Sequence, residues 1–69
     1  MSFKIYSIND STGLIKLCTP KGTQNNFLTY EDAVEAINSN SEFMSEGFQH
    51  NNPVSKNNFN LIILEIVNK

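Results

Sequence analysis

Phe59-Asn60-Leu61-Ile62-Ile63-Leu64-Glu65-Ile66-Val67 is the stretch that decides the fold. A strand with one face in water alternates apolar with polar side chains. Here both alternating sets are apolar: Leu61, Ile63 and Val67 on one side, Ile62, Leu64 and Ile66 on the other. Such a strand calls for cover on both faces, or for a partner along its edge. The rest of the chain offers one good helix, which leaves the second face as the question the sequence poses.

That helix is announced by Thr29, whose hydroxyl is placed to accept from the backbone N–H of Asp32. Tyr30, Ala33, Val34 and Ile37 then recur at helical spacing, and the stripe predicts that Tyr30, Val34 and Ile37 are buried. Glu31, Asp32 and Glu35 fall off the stripe, where acids near a helix N-terminus are favoured by about 0.3–1 kcal/mol each. Asn38-Ser39-Asn40-Ser41 are poor helix formers and end it.

Toward the N-terminus, Phe3 to Ile8 and Leu14 to Thr19 read as strands. Asn9-Asp10-Ser11-Thr12-Gly13 between them is a dense turn signal, so the two form a hairpin. Pro20-Lys21-Gly22 stops the second strand. Thr23 to Leu28 reads either as an extended segment carrying Phe27 into the core or as loop. After the helix, Ser41 to Gly47 predicts one short helical turn, with Phe43, Met44 and the following Phe48 packing over the sheet end. Gln49 to Asn58 reads as a polar loop broken by Pro53. The expected fold is α+β over residues 1–69 as a single domain: a small antiparallel sheet of hairpin and final strand, with one helix on one face. The simplest arrangement lays the last strand beside the first.

Size limits what can stabilise this fold. A chain of 69 residues buries only about 60% of its unfolded surface, and such a core supplies roughly 3–5 kcal/mol. Cys18 is the sole cysteine and His50 the sole histidine. An internal disulfide and a Cys/His zinc site are therefore both excluded, and no cofactor motif appears. The first residues lack the apolar run of a signal peptide, and no stretch approaches the ~20 apolar residues of a membrane span. A cytoplasmic protein without membrane contact is the expectation, and a lone cysteine fits a reducing compartment.

The charges are unevenly placed. Glu31, Asp32, Glu35, Glu42 and Glu46 all lie between Lys21 and Lys56, a segment with no positive charge. The chain has no arginine, and its net charge is −2. Free nucleic acid is an unsuitable ligand, because phosphate and base recognition favour guanidinium groups and a basic stripe. Eleven asparagines, with many Ile and Lys, point to an AT-rich source more than to chemistry.

The residues that carry reactivity elsewhere have bland explanations here. His50 sits in a polar loop with no partner nearby in sequence for acid–base work. Cys18, near a strand end, reads as a small buried hydrophobe, because a nucleophile needs a base and an electropositive surrounding. Glu31, Asp32 and Glu35 read as a solvated helix face or as a docking surface for a basic partner. No EF-hand spacing accompanies them. Glu65 is expected to reach water near its strand end and to pair with Lys4 or Lys16.

In overall character, very short, acidic and without a cofactor signal, the chain resembles the small phage-encoded inhibitors of bacterial defence, anti-CRISPR proteins among them. The resemblance implies a non-enzymatic protein that docks on a basic surface of a larger partner, a nuclease or ribonucleoprotein. On that reading Glu31, Asp32, Glu35, Glu42 and Glu46 steer the encounter, and Phe43 and Phe48 anchor it. The alternative is a small accessory subunit, homodimeric through its sheet, in which the doubly apolar last strand is the working part.

Overall fold

The computed structural model describes residues 2–45, 54–58 and 60–67. Among these described residues, five strands and one α-helix follow in the order β1 (Ser2–Ile8), β2 (Ile15–Pro20), α1 (Tyr30–Ser39), β3 (Glu42–Ser45), β4 (Val54–Ser55) and β5 (Asn60–Ile66), with a 3-10 turn at Lys56–Asn58 before β5. Their spatial order is β4-β3-β2-β1-β5, antiparallel throughout. The expected α+β architecture is present, with β5 beside β1 over the full register from Ser2–Ile66 to Ile8–Asn60.

The hairpin turn is closed by its own side chains. Asn9 Oδ1 accepts from Ser11 and Thr12 N–H at 2.9 and 3.2 Å. Gly13 takes φ 75° and donates its N–H to Asn9 O at 2.7 Å. That left-handed conformation suits glycine. Asn60 Nδ2 then donates to Asp10 Oδ2 at 2.7 Å, tying the turn to the start of β5.

Helix α1 begins at Tyr30 with Thr29 as its cap; Asp32 N–H donates to Thr29 Oγ1 at 3.1 Å. Its last turn holds no basic residue. The orphan carbonyls there find donors elsewhere. Asn40 Nδ2 donates to Ala36 O at 2.8 Å, and Lys56 Nζ, from far along the chain, donates to Ile37 O at 2.9 Å.

The helix is rotated from the expected stripe. Ala33 is fully buried, with Ala36 and Ile37 against the same core. Tyr30 is 53% exposed and Val34 half-buried. Ala33 has almost no side chain, which lets the helix lie close to the sheet. Tyr30 sits at the rim, its ring edge-on to Phe3 with centroids 6.2 Å apart. That geometry suits an aromatic pair with a polar tip left in water.

Two further expectations are corrected. Ser41 to Gly47 is not a helical turn: Glu42–Ser45 is strand β3, paired with β2 through Cys18–Ser45, Thr19–Met44 and Pro20–Phe43. Part of the polar loop is strand β4 and the 3-10 turn, with β4 paired to Glu42 and Phe43. The cause is tertiary. Beyond Leu17 no further residue of β2 pairs with β1, and its remaining half hydrogen-bonds to β3 instead. The backbone bonds left open on β1 are taken by Phe27, which exchanges both of its own with Phe3 at 2.8 and 2.9 Å. The Thr23 to Leu28 segment thus carries Phe27 into the core.

Opposed residues of an antiparallel pair share a face. The register therefore sorts the sheet. Phe3, Ile5, Cys18, Pro20, Phe43, Leu61 and Ile63 lie on the inner face, beneath the helix. Tyr6, Ile8, Ile15, Leu17, Met44, Ile62, Leu64 and Ile66 lie on the outer face, and each keeps contact with solvent.

Candidate functional site

Two of the acids singled out in the sequence, Asp32 and Glu35, are brought to a hollow between the helix and the loop after β2. Pro20 ends β2, and Gly22 turns the chain with φ 78°. Thr23 fastens the loop by donating both its N–H and its hydroxyl to Pro20 O, each at 3.1 Å. Gly22, Thr23 and Gln24 then stand opposite the flank of α1 that carries Asp32, Glu35, Ser39 and Asn40. Phe27 and Ala36 supply apolar lining between them. The hollow has a volume of about 530 Å³ and is open to solvent.

Its chemistry is that of a cation acceptor. Asp32 and Glu35 are exposed carboxylates, acceptor-only when ionised. Thr23, Ser39 and Asn40 add neutral polar groups, and the apolar lining suits the aliphatic stem of a long basic side chain. Glu31, on the first turn, is exposed beside them. Among the described residues no group of three or more His, Cys, Asp or Glu is placed to hold a metal ion.

The remaining candidates are dispersed. Glu42 is exposed on β3, with its carboxylate 3.7 Å from Lys21 Nζ. The central acids are therefore not wholly uncompensated, as the sequence suggested. Exposed pairs of this kind contribute about 0–1 kcal/mol. Phe43 is 0% exposed, so it is core and unavailable as an anchor for a partner. Glu46, Phe48 and His50 lie outside the described residues. Glu65 is exposed, as expected, but stands opposite Phe3; Lys4 projects to the other face, opposite Leu64.

Cys18 is 1% exposed, and burial pushes its thiol up to about 11. A thiol held neutral in this way is a poor nucleophile. Among the described residues no helix is long and apolar enough to cross a membrane.

Sequence reasoning missed the loop side of the hollow and the role of Lys56. Gly22-Thr23-Gln24 carries no motif, and its approach to α1 depends on the Phe3–Phe27 bridge. Lys56 is the first cation after the acidic stretch, which was the available signal. No protein-family model, curated protein or solved structure matches this chain.

Proposed function

We propose that this chain is a non-enzymatic protein-binding inhibitor that docks its acidic helix flank on a basic surface of a larger protein. The partner class is a nuclease or ribonucleoprotein whose nucleic-acid groove is lined with Lys and Arg, as for anti-CRISPR proteins. The observation that carries the reading is the hollow holding Asp32 and Glu35 beside exposed Glu31, a shape and charge suited to an inserted basic side chain. Acidic complementarity to such a groove speeds encounter and fixes orientation. Inhibition is then steric, by occupation of the site where nucleic acid would lie. The reading places the protein in a reducing, cytoplasmic setting, in keeping with its free Cys18.

The test pairs a functional and a physical measurement. Cells carrying an active CRISPR nuclease are challenged with a targeted phage, with and without this protein. Restored plating is expected with the native chain and lost with Asp32→Lys/Glu35→Lys. The purified chain should bind the purified nuclease more weakly as salt rises. Unchanged phage restriction, or inhibition indifferent to both charge reversals, overturns the proposal.

A homodimeric accessory subunit is the second reading, favoured by the apolar outer face of the sheet.

A further inference from the structure

The two edges of the sheet are built differently. One is β4, two residues long. The other is β5, seven residues in unbroken register with β1. Natural edges are blunted by shortness, proline, a bulge or charged side chains, inward-pointing ones included. β4 is short, and β5 is long and carries a single charge, Glu65, near its end on the inner face.

Which groups β5 leaves open among the described residues follows from its neighbours. Phe3 exchanges both backbone bonds with Phe27, and Asn9 N–H reaches Leu14 O at 2.9 Å, all on the β2 side of β1. Odd-numbered residues of β1 thus bond toward β2 and even-numbered ones toward β5. Their partners Asn60, Ile62, Leu64 and Ile66 are the residues of β5 bonded to β1. Leu61, Ile63 and Glu65 direct their N–H and C=O groups away from it.

We propose that this edge is a homodimer interface, in which β5 pairs antiparallel with β5 of a second copy about a two-fold axis through Ile63. That register closes the hydrogen-bond account. Ile63 exchanges both bonds with the partner's Ile63, and Leu61 exchanges both with the partner's Glu65, in each direction. Every outward group of the three residues is used. A two-fold axis at Leu64 would instead set Glu65 of each copy opposite Ile63 of the other, which makes the two carboxylates diagonal neighbours across the seam.

Charge and packing fit the same register. Glu65, the one charge on β5, lies beside Leu61 of the partner, so the two carboxylates stay at opposite ends of the seam. On the outer face Ile62 meets the partner's Leu64, and the apolar face of one copy runs into that of the other. This interface is independent of the acidic hollow, which lies on α1 on the inner side.

Light scattering on a sizing column, across a concentration series, provides the test. Twice the 7.8 kDa chain mass is expected for the native protein. Glu65→Pro removes an outward N–H and leaves the β1 ladder untouched; it should return the mass to 7.8 kDa with an unchanged circular dichroism spectrum. Leu17→Ser, at the centre of the outer face, should leave the dimer intact. Register is read by cross-linking. Ile62 and the partner's Leu64 form a non-hydrogen-bonded pair with Cα atoms about 4.5 Å apart, within disulfide range. An oxidised mixture of Ile62→Cys and Leu64→Cys proteins should therefore cross-link faster than either alone. A monomer at every concentration overturns the proposal. So does a dimer dispersed by Leu17→Ser, which would show face-to-face stacking, or equal cross-linking in the mixture and the single variants. Should Glu65→Pro not fold, the cross-linking comparison decides alone.

Discussion

The inner and outer faces of the sheet are nearly matched in composition and unlike in situation. Ile5, Cys18 and Phe43 on the inner face are almost wholly removed from water, under Ala33, Ala36 and Ile37 of α1. Ile15 and Leu64 on the outer face are 46% and 38% exposed. Equal hydrophobicity has bought unequal burial because, among the described residues, one ten-residue helix covers one face of the sheet. The difference teaches that the apolar pattern of a strand reports the cover it can use, while the count of covering elements decides what it receives.

Substitutions can break or sharpen this contrast. The largest effect is expected from Phe43→Ala at the centre of the inner face. Truncating a buried phenylalanine costs about 3–5 kcal/mol, comparable to the whole stability of a domain this size. The variant should show no cooperative urea transition. A normal transition would remove Phe43 from the core and with it the contrast.

Cys18 reports the inner face through pH. Its thiol is raised from an ordinary 9.0 to about 11 in the folded chain. Between those values the unfolded chain has lost the proton that the folded chain still holds, so stability falls as pH rises. The contribution is fully present below pH 9 and is lost by about 11, a change of at most roughly 3 kcal/mol. Urea midpoints at pH 8 and pH 10.5 should differ more for the native chain than for Cys18→Ala. Parallel behaviour of the two would place the thiol in contact with solvent.

Lys56→Met tests how the inner cover is held. It removes the ammonium from Ile37 O, and a hydrogen bond from a charged donor contributes about 1.5–3 kcal/mol at most, less where water can replace it. A loss of about 1 kcal/mol is expected, with hydrogen exchange quickened in the last helical turn. Unchanged exchange there would show that Asn40 closes the helix unaided. The smallest effect belongs to the outer face: Leu64→Ser, measured in dilute solution, should cost less than about 1 kcal/mol, because its side chain already meets water. A loss equal to that of Phe43→Ala would mean that the outer face is covered after all.

Much of this architecture is legible in the sequence, and the failures have specific causes. Thr29, Asp32 and the Asn38–Ser41 run locate the helix because capping is local chemistry. The Asn9–Gly13 turn fixes the hairpin for the same reason. The rotation of α1 was not legible, since Tyr30 and Val34 offer more side-chain surface to bury than alanine, yet Ala33 permits the closest approach. Strand β3 was hidden by the serine cap and glycine stop that flank it. A helix so short has no stability of its own, and the unpaired half of β2 claimed it as a strand. That single change of periodicity turned Phe43 from a proposed anchor into the core. Of the hollow, the acids on α1 were readable, and the loop facing them was not. Its position is set by the bridge between Phe3 and Phe27, residues far apart in the chain.

The neighbourhood of β1 and β5 has a consequence for the order of events during synthesis. The strand made first lies between its hairpin partner and the strand made last. A nascent chain can close β1 on β2 early, but the other flank of β1 stays open until β5 clears the ribosome. At translation rates of about 5–20 residues per second that wait is on the order of seconds, far longer than the ~1–10 μs a hairpin needs to form. Joining sequence-distant strands also makes the final step slow relative to a helical protein of this length. A truncated chain ending before Asn60 would be held in the same half-made state indefinitely, its first strand exposed along one side.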